Sequence, residues 1–163
     1  MNRGTSGGSD PDAKVEKMAQ EAIEEARMVL PGIQALFGFQ LIAVLNERFR
    51  QLSDTHQHYH FVAIVLIAIA IALIMTPAAY HRQVEPGTVS RFFVKLASCF
   101  VAVAMIPLML ALCLEVYLLG ILVLTSETLS AVVSCILLGV FGALWFVFPY
   151  AMRRRDGGAH GGA

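Results

Sequence analysis

Glu115 is the residue of this sequence whose type and position most directly suggest chemistry. It is the only acidic residue inside an apolar run, and a carboxyl group held within a membrane is costly enough to indicate a proton or cation role. Its depth depends on the register of its run. If Lys95 lies at one interface, about 20 residues of helix bring Glu115 to the opposite interface. This register favours a structural, interfacial Glu115, and the alternative is a residue near the midplane on a proton or cation path.

Gln34 and Gln40, in the first apolar run, are the other candidates for such a path. Together with Glu115 they could line the route of an ion or a proton through an oligomer. Their spacing of six residues separates them by about 120° around a helix, so they form no continuous polar stripe. Hydrogen bonding between helices is the commoner use of such side chains in membranes. We therefore expect structural hydrogen bonds, with the path as the alternative.

Three alternating histidines, His56, His58 and His60, precede the second apolar run. Imidazoles are good ligands for zinc or copper, and in an extended loop the three rings would share one side. In a helix only His56 and His60 would lie on one face. No cysteine accompanies them, so the sequence gives weak support to an outer-loop metal site. No resident metal or cofactor is predicted.

Four apolar runs must position these residues. They cover 28–45, 61–80, 92–124 and 129–151 of a chain that is 57% hydrophobic and 15% charged, compared with roughly 45–50% and about 25% in soluble domains. A soluble chain of 163 residues could not bury four such runs. The predicted fold class is all-α, with a transmembrane four-helix bundle over 28–152.

The third run is too long for one perpendicular span. Its helix would measure about 50 Å, whereas the hydrocarbon core is about 30 Å thick. Pro107 lies near its middle and removes one helical hydrogen bond, so we expect a kink there. The excess length predicts either a tilted helix or an apolar hairpin through 118–124.

The basic residues lie mostly on one side of these runs. Of the 12 Lys and Arg residues, ten fall on flanks that an alternating topology assigns to one side. Only Arg48 and Arg50 fall on the other. Arg3 is too far from the first run to count firmly, which leaves nine against two. The positive-inside rule then predicts that both termini are cytoplasmic.

The two chain ends carry no apolar run. Residues 1–9 are rich in Gly and Ser and are predicted to be disordered. Residues 10–27 are predicted to form an amphipathic juxtamembrane helix, with Asp10 as its cap, Pro11 at its first position and one apolar stripe along it. Residues 153–163 combine three arginines with a Gly-rich segment and are predicted to be a disordered tail.

Small residues predict where helices approach one another closely. Small side chains let helix backbones come together in lipid, where packing rather than water exclusion drives association. Two stripes, on the second and fourth runs, have this character. Their members are Ala68, Ala72, Cys135, Gly139 and Ala143.

Composition and motifs argue against two functional classes. The formal net charge is +0 at pH 7, whereas nucleic-acid binding requires a clustered basic surface. The sequence has no phosphate-binding loop, nucleophile elbow or metalloprotease helix motif. Its three cysteines lie in apolar runs, where they are interpreted as packing residues. We expect a non-enzymatic protein with no nucleic-acid partner and no cofactor.

Three segments carry distinctive strings: EEARMVLPGIQALFGFQL at 24–41, TPAAYHR at 76–82 and RFFVKLASCFVAVAMIPL at 91–108. In these segments the chain resembles a family of small bacterial membrane proteins catalogued as a domain of unknown function. The resemblance covers about residues 22–150, and the LPG-x-Q and PAAYHR strings are its most specific parts. It implies a four-span inner-membrane protein of bacterial origin. It implies no activity.

These features lead to two functional hypotheses. The first is a non-enzymatic integral membrane protein that acts through helix–helix contacts, as a homo-oligomer or as an accessory subunit of another membrane protein. The second is a small oligomeric ion channel or transporter with Glu115, Gln34 and Gln40 along its path. A Glu115 that faces lipid headgroups favours the first hypothesis. A Glu115 that faces an internal wet cavity favours the second.

Overall fold

The computed structural model describes the backbone of residues 11–84 and 90–159, and the side chains of 17, 18, 20, 21, 24, 27–84 and 90–154. These residues are helical almost throughout, and no strand occurs among them. The elements are α1 (Pro11–Ala43), a 3₁₀ segment (Glu47–Gln51), α2 (Asp54–Val84), α3 (Arg91–Leu124), α4 (Glu127–Gly142), a π-helical turn (Ala143–Val147) and α5 (Phe148–Ala159). The predicted all-α helical bundle is confirmed.

Three helices are long and apolar enough to cross a membrane. They are α2, α3 and the continuous helix Glu127–Arg154, which combines α4, the π-helical turn and most of α5. The apolar part of α1, Arg27–Ala43, is shorter and measures about 25 Å at 1.5 Å per residue. The chain is therefore a membrane protein by its helices, and a fourth span through α1 stays a prediction.

Helix α1 joins two segments that sequence analysis treats separately. The predicted juxtamembrane helix, 10–27, and the first apolar run continue into each other without a break, because neither Gly nor Pro occurs between 12 and 30. Pro31 lies inside the same helix. The predicted tail at 1–9 lies outside the described residues.

Helix α3 is one uninterrupted helix of 34 residues, about 51 Å long. Ser90 caps its start by accepting a hydrogen bond from the Phe93 N–H, and Thr125 ends it in the left-handed conformation at φ 53°. Because the helix runs through to Leu124, the apolar hairpin considered for 118–124 does not form. Pro107 is buried within this helix.

The core is a seam between α2 and α3. On α2 the buried residues recur at alternating spacings of three and four, the 3.5-residue period of helices that pack side by side. Ile33 of α1 packs in the same core cluster as the buried residues of α2 and α3. The buried residues of α2 are His60, Ala63, Ile67, Ala70, Ile74 and Pro77. Ala104 and Ala111 of α3 share one core cluster with Ala63, Ile67 and Ile74 of α2. The buried residues of α3 are Phe93, Ala97, Ala104, Pro107, Ala111, Cys113 and Leu118.

Helix α4 packs on α3 near the turn that connects them. Ser130 is the buried residue of α4 and lies so close to Gly120 of α3 that a Cβ there would sit 2.7 Å from the Ser130 Oγ. The Ser134 hydroxyl donates a hydrogen bond to the Cys113 carbonyl oxygen. Beyond this joint, the most apolar stretch of Glu127–Arg154 has no buried residue.

The predicted small-residue stripes do not pack within the chain. On α2 they lie off the buried seam, and on α4 a Cβ added to Gly139 would meet nothing within 4 Å. The close approach uses Gly120 and Ser130 instead. Close helix contacts through the stripes therefore stay a prediction for other chains. The exposed stripe residues are Ala68, Ala72, Cys135, Gly139 and Ala143.

The C-terminal segment also differs from its prediction. Residues 153–159, assigned to a disordered tail at 153–163, continue α5 as far as Ala159. Met and Arg are good helix formers, and the Arg154 guanidinium lies 4.8 Å from the centre of the Tyr150 ring one turn earlier. Residues 160–163 lie outside the described residues.

Candidate functional site: a polar cluster shared by three helices

Gln40, His60 and Glu115 come together from three helices, and we call them the polar cluster. Gln40 lies in the last turn of α1, His60 near the start of α2 and Glu115 in the second half of α3. The 3₁₀ segment between α1 and α2 reverses the chain, so the end of α1 and the start of α2 meet the same part of α3. The cluster therefore lies at one end of the bundle, on the side of the α1–α2 connection.

Hydrogen bonds join the three residues in a closed triangle. The Gln40 Nε2 donates to the Glu115 Oε1 at 2.9 Å, and the His60 Nδ1 lies 2.8 Å from the same oxygen. The other ring nitrogen of His60, Nε2, is 3.0 Å from the backbone carbonyl oxygen of Gln40. His60 is 3% exposed and Gln40 6%, whereas the Glu115 side chain is 27% exposed.

This geometry limits where the protons of the cluster can lie. A carbonyl oxygen can only accept a hydrogen bond, so the His60 Nε2 must carry a hydrogen. The contact between the His60 Nδ1 and the Glu115 Oε1 then holds a second proton, either as imidazolium with carboxylate or as neutral imidazole with carboxylic acid. In both arrangements His60 and Glu115 share one transferable proton.

Two acceptor atoms of the cluster have no hydrogen-bond partner among the described residues. The Gln40 Oε1 is buried and makes no hydrogen bond, a state that costs about 1–3 kcal/mol. No hydrogen bond joins the second carboxylate oxygen of Glu115 to the described part of the chain. The cluster is therefore short of hydrogen-bond donors, and a ligand that brings N–H groups would fit it.

A cavity of about 230 Å³ adjoins the polar cluster, and we call it the end cavity. His60 and Glu115 form its polar wall, and the 3₁₀ segment closes one side with Arg48 and Phe49. Leu119 and Val123 of α3, 61% and 66% exposed, line the open side. The remaining lining residues are Ala43, Asn46, Leu52, Leu118 and Leu122.

Glu115 faces inward, which the interfacial interpretation did not anticipate. Its carboxylate contacts α1 and α2 rather than lying on the outer surface of the bundle. It nevertheless shares the end cavity with Asn46 and Arg48 of the α1–α2 connection. The cavity that Glu115 adjoins is open on the side of Leu119 and Val123, so its position matches neither of the two that discriminate the functional hypotheses.

The predicted path residues separate into two groups. Gln40 and Glu115 are hydrogen bonded to each other, whereas Gln34 is exposed on α1 and makes no contact with the cluster. The polar path predicted for these three residues is therefore discontinuous within one copy of the chain.

The three histidines do not converge on one point. The His56 Nδ1 lies 2.8 Å from the Ser53 Oγ, and the His58 Nδ1 lies 2.5 Å from the Asp54 carbonyl oxygen. All three lie in α2 rather than in an extended loop, and His60 is turned into the cluster. Among the described residues no group of three His, Cys, Asp or Glu side chains could hold a metal ion.

Sequence reasoning missed His60 as the partner of Glu115, although a signal was present. Counting back from Pro77 in alternating steps of three and four leads through Ile74 and Ala70 to His60. A histidine on the buried seam of a helix requires a hydrogen-bonding partner. Glu115 is the candidate, because it is the only acidic residue inside an apolar run of the sequence.

The fold and this site define an all-α membrane protein with a buried acid–imidazole–amide cluster at one end of its helical bundle. Residues 9–149 match a family of unknown function, DUF6328. The chain belongs to this family, which confirms the predicted resemblance to a domain of unknown function. No curated protein and no solved structure matches the chain.

Proposed function

We propose that the chain is a non-enzymatic integral membrane protein that acts through helix–helix contacts, as a homo-oligomer or as an accessory subunit. The observation that carries this proposal is the bare face of Glu127–Arg154, whose most apolar stretch has no buried residue. Cys135, Gly139 and Ala143 are exposed on it. Small exposed residues at a spacing of four are typical of close helix contacts in lipid.

The proposed location is the bacterial inner membrane, with both termini in the cytoplasm. Support comes from the ends of the helices. The end of α2 and the start of α3 carry Arg82, Arg91 and Lys95, whereas Arg48 and Arg50 lie in the 3₁₀ segment at the opposite end of α2. This asymmetry is the one that the positive-inside rule uses.

Cysteine crosslinking in native membranes tests the contact face. In a background without native cysteines, Gly139→Cys should form a crosslinked species of defined mass, because a side chain at this position meets open space within the chain. The matched control is Val140→Cys, also exposed and about 100° around the same helix. It should crosslink several-fold less.

The proposal fails if Gly139→Cys and Val140→Cys crosslink equally or not at all. It also fails if native mass measurement in mild detergent shows monomers alone, with no co-purifying membrane protein. A crosslinked species of twice the chain mass supports the homo-oligomer, and one of another mass supports the accessory subunit.

The second candidate is a small oligomeric channel or transporter for protons or cations. The observation that favours it is the inward-facing Glu115, whose Oε1 lies 2.8 Å from the His60 Nδ1 beside the end cavity. Reconstituted protein should then conduct protons or a monovalent cation into liposomes, and Glu115→Gln should reduce the flux at least tenfold. Glu127→Gln, an exposed acid at the same end of the bundle, is the control. Unchanged flux in Glu115→Gln removes this candidate.

A further inference from the structure

We propose that the end cavity binds the headgroup of a phospholipid that carries a primary ammonium group. This inference goes beyond the proposed function, because it concerns a lipid site in each copy of the chain and needs no oligomer. It rests on three features of the cavity: a carboxylate with one oxygen, and a guanidinium, that have no partner among the described residues, and an apolar side that opens outward.

The carboxylate of Glu115 supplies the site for the ammonium group. Its Oε1 already accepts a hydrogen bond from the Gln40 Nε2 and lies 2.8 Å from the His60 Nδ1, whereas its second oxygen has no such contact among the described residues. A primary ammonium can donate a charged hydrogen bond to this second oxygen.

Arg48 supplies the site for the phosphate. It lines the end cavity together with Glu115, but their side chains do not pair, and no ion pair engages the Arg48 guanidinium within the described residues. The planar guanidinium matches two phosphate oxygens at once. The end cavity therefore offers a guanidinium to the phosphate and an unused carboxyl oxygen to the ammonium, the two groups of a zwitterionic headgroup.

The open side of the cavity favours a lipid over a soluble zwitterion. Leu119 and Val123 are strongly exposed there, and they continue the apolar surface of α3 on which acyl chains can lie. A volume of about 230 Å³ is smaller than the range of about 300–1,000 Å³ typical for drug-sized ligands. It suits a headgroup whose chains stay outside.

Lipid titration followed by native mass spectrometry tests the site. The protein is released from nanodiscs and titrated with phosphatidylethanolamine or with phosphatidylcholine of identical acyl chains, whose trimethylammonium has no N–H donor. One charged hydrogen bond corresponds to about a tenfold difference in affinity. We expect wild-type protein to prefer phosphatidylethanolamine by about tenfold, and Glu115→Gln to bind the two lipids equally.

Arg48→Gln provides an independent arm, since Arg48 is exposed and its loss leaves the core intact. It should weaken binding of both lipids by about tenfold, and the matched control Arg50→Gln, in the same 3₁₀ segment but outside the cavity lining, should not. If Glu115→Gln does not fold, this pair of variants decides the outcome.

Three results would overturn the proposal: equal affinity of the wild-type protein for the two lipids, unchanged binding in Arg48→Gln, or binding of soluble phosphoethanolamine as tight as that of the lipid. Native mass spectrometry reports the number of chains and lipids in each complex. A protein that is monomeric and prefers phosphatidylethanolamine would therefore refute the proposed oligomer and support the lipid site.

Discussion

Helices α2 and α4 both pack on α3, but they do so by different means. The α2–α3 interface extends along both helices as a seam of alanine and isoleucine and contains the buried pair of His60 and Glu115. The α3–α4 interface is concentrated near the connecting turn, where Gly120 touches Ser130 and Ser134 bonds to the Cys113 carbonyl oxygen.

The difference shows what holds helices together in a membrane, where contact between two apolar helix surfaces gives no hydrophobic stabilisation. In lipid, van der Waals packing and hydrogen bonds decide which faces meet. The seam of α2 provides packing along its length and the His60–Glu115 contact at one end, so α2 is held along most of α3. Helix α4 provides them near one end, so the rest of its surface stays available to lipid or to another protein.

Among the variants that test this comparison, removal of the Glu115 carboxylate is expected to have the largest effect on the free energy of unfolding. Glu115→Ala leaves the buried His60 and Gln40 without their partner and should lower the free energy of unfolding by about 2–3 kcal/mol. That is less than the 3–5 kcal/mol of a fully buried pair, because the Glu115 side chain is 27% exposed. Unfolding by a denaturing detergent, followed by circular dichroism, measures the change.

Glu127→Ala is the matched control for that experiment. Its carboxylate is 71% exposed and 3.9 Å from the His56 Nε2, so its loss should cost less than about 0.5 kcal/mol. Equal effects of the two variants would mean that the pair in the α2–α3 interface adds nothing to stability.

A methyl group at Gly120 tests the α3–α4 joint. In Gly120→Ala the new Cβ would lie 2.7 Å from the Ser130 Oγ and 2.9 Å from its Cβ, so α4 must shift. We expect a loss of about 1–2 kcal/mol from overpacking. Gly139→Ala, whose new Cβ meets nothing within 4 Å, should be neutral or stabilising. If the two alanine variants are equally stable, the close approach of α4 at Gly120 is not a determinant of the fold.

The smallest expected effect comes from the hydrogen bond between α4 and α3. Ser134→Ala removes the donor to the Cys113 carbonyl oxygen, and interhelical hydrogen bonds in membranes contribute about 0.6 kcal/mol on average. Ser98→Ala is the control, because the Ser98 hydroxyl bonds to the Val94 carbonyl oxygen of its own helix. Detergent unfolding of both variants should separate them by about this amount, and a Ser98→Ala loss as large as that of Ser134→Ala would contradict the prediction.

Local signals predicted the helices well. The third apolar run, 92–124, agrees with α3 to within one residue at its start, because the cap at Ser90 and the polar turn at Thr125 and Ser126 are encoded next to the apolar run itself. The runs at 61–80 and 129–151 lie inside longer helices, since polar residues at their ends stay helical beyond the apolar part.

The facing of each helix was much harder to predict. A membrane helix is apolar on its lipid side and on its packed side, so apolarity does not distinguish Ala68, which is exposed, from Ala70, which is buried. The partner of Glu115 depends on the rotation of α1 and α2 relative to α3. The alternating spacing of buried residues on α2 indicates that His60 faces the seam. The Gln40–Glu115 hydrogen bond, however, joins residues 75 positions apart, and no local pattern encodes it.

The two-residue connection between α3 and α4 has a consequence for the order of assembly. Gly120 and Ser130 are near in sequence, so their contact closes a short loop, whereas the Gln40–Glu115 hydrogen bond spans 75 residues and requires three helices to be in place. Short loops close faster than long ones. When the full-length chain refolds, we therefore expect the α3–α4 hairpin to form early and the polar cluster to form last, as the step that completes the bundle.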